Sequence, residues 1–232
     1  MLTDHTQISE WLKKYNITKY IINNNNSVSV DGNVNLQDYQ LDSIDVQFHI
    51  IDGNFDCGKN NLTSLNGCPK EVHGNFTCSK NKLINLIDGP EVAILYDCSN
   101  NHLTSLEGCP KFIQNDFMCY NNFLESLTIA PQYVTGHFFC NDNPIKSLKD
   151  FKCEFGGIFR HVLSISNPES ADRSKVKFIE DFEEYYNLSQ TFSHDYYGFT
   201  MTYKELKSIL SYNALQQKVS LIDKISKNKT KI

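Results

Sequence analysis

The stretch Asn54–Leu65, NFDCGKNNLTSL, returns as NFTCSKNKLINL (Asn75–Leu86) and LYDCSNNHLTSL (Leu95–Leu106). It returns again as DFMCYNNFLESL (Asp116–Leu127) and HFFCNDNPIKSL (His137–Leu148). What recurs is F-x-C-x-x-N-x-L-x-x-L, and its cysteines Cys57, Cys78, Cys98, Cys119 and Cys140 stand 21, 20, 21 and 21 residues apart. Fixed apolar positions at a period near twenty mark a solenoid, because a single turn cannot bury its apolar face alone.

With each cysteine taken as position 0, the register reaches Leu36 upstream and His161 downstream. Position −2 is then Val34, Phe55, Phe76, Tyr96, Phe117, Phe138 and Phe159, while positions +5 and +8 are leucine or isoleucine, as in Leu62 and Leu65. Apolar residues alternating at −2 and 0 predict a short strand, and equivalent strands stack about 4.8 Å apart as a parallel sheet. Asn60, Asn81, Asn101, Asn122 and Asn143 share position +3. Their amides can satisfy backbone groups where the chain leaves the strand, which predicts an asparagine ladder. Gly32, Gly53, Gly74, Gly136 and Gly157 at −4 suit a tight entry into the strand. Pro69, Pro90, Pro110 and Pro131 at +12 predict an extended or turn-like back instead of a helix.

Evenly spaced cysteines do not make a disulfide framework, and no CxxC or Cys/His pair has zinc spacing. They read as small buried hydrophobes with free thiols, and Cys68 and Cys109 at +11 read as core filler. The 232 residues carry a formal charge of −5, which argues against general nucleic-acid binding. The sequence holds no long apolar run, and MLTDHTQISEWLKKY lacks the pattern of a secretory leader. The expectation is a cytoplasmic protein without membrane attachment, cofactor or metal, and a monomer when free.

The repeat resembles the short bacterial-type leucine-rich repeat known from type III secreted effectors, L-x-L-x-x-N-x-L-x-x-L-P-x-L-P-x-x-L. Its cadence, as in GNFDCGKNNLTSLNGCPKEV, is closer to repeat proteins encoded by tailed bacteriophages. The resemblance spans about residues 28–166, implies the fold, and transfers no catalytic residue. Some secreted effectors carry a C-terminal ubiquitin-ligase domain with a catalytic cysteine, but residues 167–232 contain none.

The expected architecture is an α/β solenoid of about six to seven turns over residues 31–166. Residues 1–30 form an N-terminal cap, with Ile8, Trp11, Leu12 and Tyr15 at helical spacing and KYIINNNNSVSVDG as a hairpin. Residues 167–232 form a helical cap or small domain, with helices near 175–187 and 214–226 and another starting at Thr202.

Positions −3, −1, +1 and +2 face outward on the expected concave sheet. The N-terminal half of this face is polar, whereas the C-terminal half gathers Leu95, Met118, Tyr120, His137 and Phe139 beside Asp97, Asp116 and Arg160. Apolar groups among polar ones mark a protein interface. The expected function is therefore non-enzymatic binding of a host protein, and the phage resemblance implies inhibition of a bacterial defence or regulatory factor. One alternative is a glycan hydrolase or lyase using Asp97, Asp116 and His137 as acid–base groups. Another is a structural or assembly component of the virion.

Overall fold

The chain enters through a helix, α1 (His5–Lys14), whose first turn is capped by Asp4 Oδ1 accepting the Gln7 N–H at 2.9 Å. Ile8, Trp11 and Leu12 point from its buried face onto the end of the solenoid. An antiparallel hairpin, β1 (Tyr20–Ile22) and β2 (Val28–Val30), follows. Helix and hairpin both lie within residues 1–30. The structure is a computed structural model. It describes residues 1–145 and 151–157, and the backbone alone of 158–161, 194–195 and 198–202.

The F-x-C segments form the first wall. Its parallel strands are β3 (Val34–Asn35), β5 (Phe55–Asp56), β7 (Phe76–Thr77), β8 (Tyr96–Asp97), β10 (Phe117–Met118), β12 (Phe138–Phe139) and β14 (Ile158–His161). Position −2 pairs with position −2 throughout, from Val34↔Phe55 to Phe138↔Phe159, including Phe76↔Tyr96 across the shortened turn. The paired aromatics make a buried spine: Phe55, Phe76, Tyr96, Phe117 and Phe138 follow one another at ring distances of 5.9, 4.8, 6.0 and 5.2 Å. Phe48 joins this spine to Trp11 of α1 at 6.1 Å.

Two-residue strands are too short to fix a turn alone, so side chains complete it. At +2 the backbone becomes left-handed in turn after turn: Asp38 (φ 64°), Lys59 (52°), Lys80 (57°), Asn100 (54°), Asn121 (52°) and Asp142 (57°). This bend drives the +3 asparagine inward. Asn101 Nδ2 donates to Cys78 O of the preceding turn at 3.0 Å and to Cys98 O of its own at 3.1 Å. Its Oδ1 accepts the Leu83 N–H at 3.1 Å. The other four ladder asparagines make the same bonds, so the expected ladder is observed.

The back of the coil is extended, as the prolines imply, and it carries a second wall. Its strands are β4 (Phe48–Ile51), β6 (Glu71–Val72), β9 (Phe112–Ile113), β11 (Tyr133–Val134) and β13 (Glu154–Phe155). The hairpin strand β2 joins β4 and β6 in parallel, and β9, β11 and β13 form a separate parallel group. A single bridge, Glu71↔Val92, continues the wall toward the break between them.

Among the described residues α1 is the only helix, so the expected α/β class narrows to a parallel β-solenoid of about six turns with little helix. At the far end β16 (Gly198–Thr202) adds antiparallel to β14, and β15 (His194–Asp195) adds antiparallel to β16. These strands were not foreseen, and Thr202 ends a strand in the described backbone. The helices expected at 175–187, after Thr202 and at 214–226 lie outside the described residues.

Candidate functional site

Parallel register places Asp97, Met118 and Phe139 side by side at position −1 on β8, β10 and β12. The backbone of Arg160 follows on β14. Leu95, Asp116 and His137 form the −3 column, and Tyr120 lies at +1. All of these but Arg160, whose backbone alone is described, are half-buried. The predicted residues thus share one face, but as a low apolar relief instead of protruding side chains. The +1 column is more enclosed than expected: Ser99 is 1% exposed, and Gly58 is buried beneath Ser79.

Most outward polar groups near this face bind the protein's own backbone. Asp97 Oδ1 accepts the Ser99 N–H at 3.0 Å, as Asp56 Oδ1 accepts the Gly58 N–H at 2.8 Å and Asn35 Oδ1 the Gln37 N–H at 2.9 Å. Asp116 Oδ1 accepts the His137 backbone N–H at 2.7 Å. Asn33 and Asn54 make the equivalent bond to the next turn, each at 2.8 Å. An amide replaces the carboxylate in both settings, so these bonds do not require an acid. The His137 ring lies tilted 5.4 Å from the Phe139 ring and continues the surface beside it.

Burial raises the Asp56 carboxyl above its ordinary value; the Gly58 N–H opposes this and the Asp97 charge adds to it. The eight cysteines are all free, as expected. Burial pushes Cys78, Cys98, Cys119 and Cys140 well above the ordinary thiol range. The hydrogen bond with Cys68, then burial, does the same for Cys57. Neutral thiols of this kind are poor nucleophiles.

A second surface escaped the sequence reading. Val92, Phe112 and Tyr133, all at +14 on the back wall, are 40%, 49% and 49% exposed, more open than the described side chains of the predicted site. Tyr133 pairs directly with Phe112, and Glu154 follows in register. The available signal was position +15, where Val72, Ala93, Ile113, Val134 and Phe155 are buried. An inward residue at every +15 turns its predecessor outward. Among the described residues no helix is long and apolar enough to cross a membrane, and no three metal-ligating side chains group together. No family model, curated protein or solved structure matches the chain.

Proposed function

We propose that the chain is a non-enzymatic protein-binding solenoid that receives its partner on the C-terminal half of the first wall. The row Asp97–Met118–Phe139, with Tyr120, Leu95 and His137 around it, carries this reading. It combines contiguous apolar and aromatic groups with a backbone held rigid by strand pairing and the inner ladder. Binding to such a platform costs little conformational entropy. Following the phage-like cadence, the partner is a host bacterial defence or regulatory protein met in the cytoplasm. Asp97 and Asp116 support the sheet by accepting backbone N–H groups, so the acid–base alternative gains nothing from their geometry.

The test is a tagged pull-down from bacterial lysate, with four variants compared against the parent. Tyr120→Ala and Phe139→Ala should each weaken capture of one stoichiometric partner by about 2 kcal/mol or more. Asn54→Ala and Asn75→Ala, in the polar half, should change it by less than about 0.5 kcal/mol. Unaltered capture by a folded Tyr120→Ala variant removes this face from consideration and points to the Val92–Phe112–Tyr133 surface.

A further inference from the structure

Three turns close the corner between +8 and +11 with a left-handed residue at +10: Gly67 (φ 94°), Asp88 (66°) and Gly108 (91°). Ile129 occupies that place in the next turn. A β-branched residue avoids this conformation, and Ile129 is not left-handed. Its side chain stands 54% exposed. At +11 the same turn carries only Ala130, where the flanking turns carry Cys109 and Phe151. At +12 the last turn replaces the repeated proline with Lys152.

Around these changes lies a cavity of about 330 Å3, with Cys109, Leu127, Ile129, Pro131 and Cys153 in its walls. Lys111 and Lys152 are the charged groups lining it, and among the described residues no carboxylate does, although the chain carries a net −5. Neither ammonium joins an ion pair among the described residues, where the pairs formed are those of His73 with Asp52 and Glu71. Burial pushes the Cys109 and Cys153 thiols up to about 12, so both are neutral wall. Cys109 Sγ is also turned toward Ile129 O at 3.4 Å.

We propose that this cavity binds a small amphipathic carboxylate, its apolar body against Leu127, Ile129 and Pro131 and its carboxylate between Lys111 and Lys152. The volume sits at the small end of ligand cavities, about 300–1,000 Å3, and suits a body of roughly ten carbon atoms. The paired lysines favour an anion over a neutral ligand of the same shape, and the apolar walls favour it over a bare inorganic ion.

Titration calorimetry on the full chain tests this with 4-phenylbutyrate and its uncharged counterpart 4-phenylbutan-1-ol. The acid should bind saturably, one to one, with a dissociation constant below about 1 mM. The alcohol should bind at least about tenfold more weakly, and Lys111→Met/Lys152→Met should weaken the acid by a similar factor. Ile129→Gly/Ala130→Cys rewrites the corner to the Gly-Cys-Pro of Gly67–Pro69 and Gly108–Pro110, and should abolish binding. No saturable binding, equal binding of the alcohol, or undiminished binding by the lysine variant overturns the proposal. So does undiminished binding by a folded corner variant. If the corner variant does not fold, the lysine variant and the alcohol still decide.

Discussion

Two ladders of side-chain oxygens run along this solenoid, one inside and one outside. The inner one, Asn60 to Asn143 at +3, is at most 8% exposed and unbroken, even through the turn that is one residue short. The outer one, at −3, is made by Asn33, Asn54 and Asp116, and it lapses at Asn75 and Leu95. Both accept backbone N–H groups of a neighbouring turn, so their bonds are chemically alike. The difference is what replaces a missing bond. Inside, nothing does, and an orphaned amide incurs its full desolvation cost; outside, water takes its place. The outer column can therefore vary, and the predicted binding face begins at its lapse.

The outer ladder also dictates a residue elsewhere. Each outer oxygen crosses the space that a Cβ at −4 of the next turn would fill: Asn33 over Gly53, Asn54 over Gly74, Asp116 over Gly136. After Asn75 and Leu95, which make no such bond, position −4 is Ile94 and Asn115. Most of these glycines answer a close approach instead of a turn, since among those at −4 only Gly32 has a left-handed φ.

The comparison breaks first on the inner ladder. Asn101→Ala should cost about 3 kcal/mol, because it orphans the Leu83 N–H and takes one of the two asparagine donors from each of the Cys78 and Cys98 carbonyls. Asn61→Ala, next to the ladder, should cost less than about 0.5 kcal/mol. Equal losses in denaturant titrations of the two would show that the inner bonds are not what holds the turns.

The glycine rule comes next. Gly74→Ala should cost about 2 kcal/mol through overpacking, while Asn115→Ala should stay within about 0.5 kcal/mol. Adding Asn54→Ala to Gly74→Ala should recover part of the loss. Recovery stays incomplete because the Gly53 carbonyl carbon still lies 2.7 Å from the new Cβ. A double variant no more stable than Gly74→Ala alone would remove the outer oxygen as the cause. Asn54→Ala by itself should cost no more than about 1 kcal/mol, since its bond is exposed.

The smallest effect concerns Asp56. Its folded pKa is raised by burial, so ionisation is penalised in the folded state. That penalty is absent below the unfolded pKa, grows as pH rises toward the folded one, and is complete above it. Asp56→Asn keeps an oxygen for the Gly58 N–H and should melt slightly higher than the parent near pH 7. The gap should close on acidification to about pH 3. A gap that widens toward acid would mean that the Asp56 charge stabilises the fold.

The inward positions were legible because burial leaves few residue choices: Phe at −2, Cys at 0, Asn at +3 and Leu at +5 recur. The N-terminal helix was legible for the same reason, through Ile8, Trp11 and Leu12. The back wall was harder to see. Its outward position reads Glu71, Val92, Phe112, Tyr133 and Glu154, which shows no common chemistry, and prolines two residues earlier suggested only a bend. The left-handed bend at +2 was masked by Lys59 and Lys80, since long side chains are not the usual mark of that conformation. Of the candidate site, the shared face followed from period two, but its half-buried depth depends on how neighbouring turns overlap. The cavity was invisible for a related reason, because it arises from what Ile129 and Ala130 fail to supply.

Among the described residues both walls end on reversed pairings: β1 runs against β2 at the start of one, and at the end of the other β16 runs against β14 and carries the two-residue β15 on its outer side. The remaining ends, β3 and β13, are two residues long. A parallel stack with matching ends could add further copies without limit and grow into a filament. Here an arriving copy meets either a ladder running the wrong way or an edge too short to hold it. The chain can thus repeat one motif along its length and still stop polymerising at its own ends.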